Sequence, residues 1–243
     1  MRGRLVALLL AAVLGAGGGA ATALLDPLGG DDGDAGTGGT GASAARDPLH
    51  LGVPQVDQAC TGEALLVVAV GDTPTALRGA VADHGTDVRY LRVDDSCDTE
   101  WSLDEERPTP TWAAYLGPYD DLAEPCAARM TLDHKGDGVT VLTPGTDDLV
   151  RCVCVLPTTG MPQLTLGGPL DPELGIWVRA LQGMLVDLDP TRFPEERVTG
   201  RYDEATAARM EPLQAYHDIE PGSPVDESSW RAVRDRVCGS YGF

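Results

Sequence analysis

The chain has 243 residues, with 18 Lys and Arg against 38 Asp and Glu, a formal charge of −20 and six cysteines. That length holds one or two domains. The acidic balance excludes nucleic acid as a working partner, because phosphate recognition runs on clustered Lys and Arg. With only four histidines, a multi-histidine metal site is not expected.

Residues 1–25 open with Arg2 and Arg4, followed by an uncharged stretch from Leu5 to Leu25. A short basic region before an apolar run is what the secretion machinery reads. Ala21-Thr22-Ala23 offers a small-residue cleavage site, but the stretch is also long enough to remain as a transmembrane anchor. Either reading places the rest of the chain outside the cytoplasm. Residues 26–58 carry eight glycines and six aspartates and few large apolar side chains. Such a segment buries too little to offset chain entropy and is expected to be a disordered, flexible linker.

All six cysteines follow: Cys60, Cys97, Cys126, Cys152, Cys154 and Cys238. An even count in an exported chain predicts disulfides. Cys152-x-Cys154 has no second ligand pair at metal spacing.

Residues 59–157 read as two copies of one β-α-β unit. Leu65–Val70 is an apolar run ending at Gly71, as a central strand would be. Thr73-Pro74 starts a helix with Leu77 and Val81 on one side, and Gly85 ends it. Asp87–Val93 alternates, with Val88, Tyr90 and Arg92 on one face. The second copy is a strand over Thr111–Gly117, a helix over Asp120–Lys135, a Gly-Asp-Gly turn and a strand over Val139–Leu142. The order β-α-β-β-α-β predicts a ferredoxin-like split β-α-β fold, with helices on one sheet face and the other face open for binding. On alternation, Tyr90, Arg92 and Tyr115 are the candidates to line it. Aromatic rings stack on sugars, and Arg donates to hydroxyls or a carboxylate. The competing role for Tyr90 and Tyr115 is a cross-strand pair that only stabilises the sheet.

The run Trp112-Ala113-Ala114-Tyr115-Leu116-Gly117-Pro118-Tyr119, with Ala127-Ala128-Arg129 and Val139-Thr140-Val141, resembles the SPOR domain. The resemblance implies binding of septal peptidoglycan, preferentially glycan strands stripped of stem peptides. Tyr115 stands where that family often carries Gln.

Residues 158–172 form a Pro/Gly-rich connector, and residues 173–243 read as three short helices. Ile176–Leu188 is amphipathic, with Trp177, Leu181, Met184, Leu185 and Leu188 on one face. Asp203 and Asp226 are N-caps for the next two helices, which bury Met210, Leu213 and Tyr216, and Trp230, Val233 and Val237. Pro212 is expected to delay, kink or break the second. Val178-x-x-Leu181-Gln182-x-x-Leu185, Val198-Thr199-Gly200-x-Tyr202-Asp203-x-x-Thr206, Leu213-Gln214, Val225-Asp226 and Ser229-Trp230 closely resemble the peptidoglycan-binding-domain-like family. That resemblance implies a three-helix module that binds peptidoglycan without chemistry. Its candidate contacts are Arg179, Gln182, Tyr202 and Gln214. The alternative for the two glutamines is to bond loop backbone and hold the bundle together.

The β-α-β-β-α-β layout puts Cys60 near Cys152 and Cys154 and pairs Cys97 with Cys126. The remaining member of Cys152/Cys154 then reaches Cys238 and ties the two domains.

No G-x-S-x-G, H-E-x-x-H or Walker loop occurs, and His84, His134 and His217 read as scattered over helices. The sequence therefore predicts an α+β, non-catalytic, exported envelope protein with no metal and no cofactor, binding peptidoglycan through two modules. Its high Arg-to-Lys ratio and Ala/Gly/Asp richness suggest an actinobacterial source. The alternatives are a protein-interaction module or a regulator acting on a cell-wall hydrolase or division partner.

Overall fold

A computed structural model describes residues 46–103, 108–134, 136–146, 148–168 and 171–240. The expected export signal or anchor and the start of the linker lie outside the described residues. Among the described residues no helix is long and apolar enough to cross a membrane.

The protein is α+β. Four strands, β1 (Ala64–Gly71), β2 (Arg89–Arg92), β3 (Trp112–Tyr119) and β4 (Gly138–Val141), form one antiparallel sheet in the order β2-β3-β1-β4. Helix α1 (Pro74–His84) connects β1 to β2, and α2 (Ala123–Arg129) connects β3 to β4. A short turn of helix, α3 (Cys152–Val155), leads to α4 (Pro172–Leu188), α5 (Glu204–Tyr216) and α6 (Glu227–Val237). Each strand face is apolar for its own reason. Leu65 and Val67 on β1 point to one side, and Ala64 and Leu66 to the other, all fully or nearly fully buried. Burying a side chain of this kind contributes roughly 1.5–3 kcal/mol.

The sheet and the C-terminal helices share one core. Leu66 and Val139 of the sheet pack in the same cluster as Cys126 of α2, Val153 of α3, Leu181 and Leu185 of α4, Met210 of α5 and Trp230 of α6. The segment 158–172, expected as a connector, belongs to this packing. Leu164 pairs with Val225, and the Trp230 indole donates to the Pro162 carbonyl at 2.9 Å. From α6, Arg234 donates to the carbonyls of Leu156 (2.8 Å) and Cys154 (2.6 Å).

The linker expectation fails for residues 46–58. Val53 is buried beside Leu77, Val88 and Tyr90, with Leu49 and Leu51 packed against them. The strap follows the exposed edge of β2: Tyr90 N–H donates to Pro54, and Val56 N–H to Tyr90. The Asp57 carboxylate accepts from Arg92 N–H at 3.0 Å. Three large apolar residues and a row of unpaired edge amides outweigh the segment's polar average.

The second sheet face is not open. The chain leaving β2 crosses beneath it, burying Val93, Cys97 and Trp101 against Leu65, Leu91, Ala113, Tyr115 and Leu142. The Trp101 indole donates to Cys97 O (3.1 Å), and the Thr99 hydroxyl reaches Val141 O of β4 at 2.9 Å, so this loop spans the sheet from edge to edge.

That crossing also decides the disulfides, which are Cys60–Cys97, Cys126–Cys152 and Cys154–Cys238. The expected Cys97–Cys126 pair and the placement of Cys60 with Cys152 or Cys154 are both wrong. Cys97 lies on the face opposite α2 and bonds back to Gln58. After β4 the chain turns past Val139, where Val150 N–H donates to it, and delivers Cys152 to α2. Cys154 does reach Cys238.

Two helices differ from expectation. α2 stops at Arg129 instead of running to Lys135, because the Thr131 hydroxyl and N–H both take the Ala128 carbonyl. α5 runs through Pro212, which lies on the exposed side together with Ala208. There the carbonyl that loses its donor faces water.

Candidate functional site

Of the sheet candidates, Tyr90 and Tyr115 are fully buried and lie on opposite faces, so they form neither a sugar platform nor a cross-strand pair. In register, Tyr90 faces Ala114 and Tyr115 faces Arg89. Both hydroxyls serve the strap. Tyr90 donates to Asp47 Oδ1 at 2.8 Å, and Tyr115 donates to Val56 O at 2.9 Å while accepting from Gln58 Nε2 at 2.5 Å. Burial pushes the Tyr90 phenol up to about 12 and raises that of Tyr115.

Arg92 is the sheet candidate that stays accessible. Its side chain is half-exposed, with loose ion pairs to Asp94 (3.8 Å) and Asp95 (3.9 Å). Directly opposite it on β3 is Trp112, partly exposed and held edge-on against Tyr90, with ring centroids 5.9 Å apart. These two residues, with Arg46 and Gln55 of the strap, line an open concavity of about 620 Å³. Asp47, Pro48 and Asp95 complete the lining, so the site offers one aromatic side chain, an amide, and two guanidinium groups set among two carboxylates. In the sequence Trp112 stands only as the first residue of the SPOR-resembling run and is not among the site candidates. The signal that could have found it is its register opposite Arg92.

In the helical half, Gln182 and Gln214 are buried and carry the same device. Gln182 Oε1 accepts from Gly200 N–H (2.8 Å), while its Nε2 donates to Arg201 O and Thr206 Oγ1, each at 3.0 Å. Gln214 Oε1 accepts from Gly222 N–H (3.0 Å), and its Nε2 donates to Ser223 O (2.9 Å) and Ser229 Oγ (3.2 Å). Each amide thus closes the loop ahead of the following helix, whose N-cap is Asp203 or Asp226. The glutamines are corrected from ligand candidates to loop braces. Tyr202 is half-buried against the core, its phenol pushed up to about 12 by burial. Arg179 is exposed on α4, its guanidinium lying over the close approach of Gly175 to Gly200. Tyr216, expected inward, is 68% exposed, with Arg236 4.9 Å from its ring centre.

The histidines are not all scattered. His84 ends α1, and His134 opens a turn closed by Asp137 N–H to His134 O. Their rings stack with centroids 4.9 Å apart and planes 3° from parallel. His134 Nδ1 lies 2.8 Å from Asp137 Oδ2. Burial pushes the Asp137 carboxyl up, with the His134 hydrogen bond and the charges of His134, His84 and Arg129 pulling it back. His134 follows the end of α2 at Arg129 and lies in this turn, not on the helix.

Among the described residues no cysteine is free, and the disulfides point to an extracytoplasmic protein. Comparison of the chain with protein-family models, with curated proteins and with solved structures finds no match.

Proposed function

We propose that this protein is an exported, non-catalytic bacterial envelope protein that binds peptidoglycan glycan through the Arg92–Trp112 concavity. The observation that carries the reading is the cross-strand pairing of an accessible arginine with a partly exposed tryptophan at the lip of that concavity. A tryptophan face takes the apolar face of a sugar ring. Arg92 and Arg46 line the concavity with Asp47 and Asp95, and in this reading the two guanidiniums donate to a carboxylate such as the lactyl group left free when a stem peptide is removed, Arg92 giving up its loose pairs to Asp94 and Asp95. The strand order β2-β3-β1-β4 with α1 and α2 as crossovers supports a ferredoxin-like, SPOR-like assignment for the sheet half. The repeated Gln-brace and Asp-cap device, and α6 packing against both α4 and α5, support the peptidoglycan-binding-like three-helix assignment. The shared core makes the helical half a rigid support for the sheet half.

The test is co-sedimentation of the oxidised protein with purified sacculi, before and after removal of stem peptides. Retention that rises on removal agrees with the proposal. A protein that stays in the supernatant in both cases contradicts it. Charge makes the assay informative, because a chain at −20 has no nonspecific attraction to an anionic wall.

A further inference from the structure

We propose that His84, His134 and Asp137 form a binding site for a divalent transition-metal ion of the zinc class, joining the end of α1 to the turn between α2 and β4. This goes beyond the glycan reading and does not depend on it. Each of the three residues offers one ligand atom, and these atoms all lie within 4.8 Å of one another. A tetrahedral zinc site with bonds of about 2.0–2.1 Å has ligand–ligand edges of about 3.3 Å. The two imidazole rings are stacked in parallel planes, so binding an ion requires them to turn out of the stack until a nitrogen of each points at it. The 2.8 Å approach of His134 Nδ1 to Asp137 Oδ2 already holds the carboxylate beside the ring, and there it binds the ion as the third ligand.

The donor set chooses the ion. Two nitrogens and one carboxylate oxygen suit zinc, cobalt, nickel or copper, whereas calcium and magnesium take oxygen cages. The surroundings are built for an inner site. All three residues are partly buried, and they come from two segments about fifty residues apart that the sheet brings together. Half of the chain's four histidines meet here. Three protein ligands leave a fourth tetrahedral position open.

The experiment uses the oxidised full chain, stripped with a chelator and titrated with zinc by calorimetry in the presence of excess calcium and magnesium. A cobalt-loaded sample is examined in parallel for the visible absorption of a tetrahedral site. The expected result is one tight equivalent and a tetrahedral cobalt spectrum. His84→Gln, His134→Gln and Asp137→Asn should each weaken binding by roughly 10–100-fold. His50→Gln and His217→Gln should leave it unchanged. Zinc uptake that calcium displaces, a cobalt spectrum of an octahedral aquo ion in the unmutated protein, or binding unaffected by the His84 and His134 substitutions would overturn the proposal. The cobalt spectrum needs no variant, so a substitution that unfolds the chain does not blunt the test.

Discussion

Arg92 and Trp112 stand directly opposite each other on β2 and β3, the one half-exposed and the other partly exposed, at the lip of the concavity that the N-terminal strap completes. Their accessibility is a consequence of what covers the rest of the sheet. α1 and α2 take one face, the Val93–Leu103 loop takes the other, and the strap takes the β2 edge.

Arg92→Ala should weaken glycan binding roughly 10–100-fold, the equivalent of one lost charge-assisted hydrogen bond of about 1.5–3 kcal/mol. The fold should hardly notice, because its ion pairs to Asp94 and Asp95 are long and exposed, and such pairs contribute about 0–1 kcal/mol. Binding isotherms and thermal melts on the same variant separate the two effects.

Tyr115→Phe is expected to behave in the opposite way. It removes a buried hydroxyl that bonds Val56 O and Gln58, so it should cost about 0.5–1.5 kcal/mol and loosen the strap. Glycan affinity, measured well below the melting temperature, should stay within a factor of about three, which is about 0.6 kcal/mol. A selective loss of binding without loss of stability would return Tyr115 to the site.

Gln182→Ala and Gln214→Ala should each destabilise the fold by at least about 2 kcal/mol. Each strands a buried loop N–H and several acceptors, and an unsatisfied buried polar group costs about 1–3 kcal/mol. Urea midpoints measure this. A neutral result at both positions would mean that the loops hold without their braces.

Peptide mapping without reduction should recover Cys60–Cys97, Cys126–Cys152 and Cys154–Cys238. Replacing Cys154 and Cys238 together by Ser should lower stability by about 2–4 kcal/mol, because the bridge closes a long loop in the unfolded chain. The helices should stay docked through Arg234 and the shared core, so circular dichroism should keep its native shape below the melt.

Acid should loosen α5 first at its cap. The Thr206 N–H bond holds the Asp203 carboxyl below its ordinary value of 3.8. The folded value is therefore lower than the unfolded one. The contribution is complete above about pH 4 and is lost as pH falls through the folded value. Asp203→Ala should remove this acid dependence and cost about 1 kcal/mol at neutral pH. A melt series between pH 7 and pH 2 on both proteins checks the sign.

The regular elements were legible because their signals are local. The apolar run ending at Gly71, the Thr73-Pro74 helix start and the Asp203 and Asp226 caps each act within a few residues. The site was not, because it depends on coverage. Alternation placed Tyr90 and Tyr115 on strands, but nothing local tells that a loop anchored by Trp101 crosses one face. Likewise, composition averaged over residues 26–58 hid Leu49, Leu51 and Val53, which are enough to dock a strap. The disulfide order followed from the same crossing. His84 and His134 lie fifty residues apart, and they meet at a turn that follows the end of α2, where no local sequence signal marks the pairing.

The chain's four tryptophans are built-in reporters of the central claim. Trp101 and Trp230 have their indole N–H groups bonded inside the core, and Trp177 packs edge-on against Trp230 in the helical half. In a nuclear magnetic resonance titration of the nitrogen-15-labelled protein with soluble glycan strands stripped of stem peptides, the Trp112 indole signal should shift and saturate while those of Trp101 and Trp230 stay fixed. A titration in which Trp112 does not move, although the strands are in excess, would contradict the account.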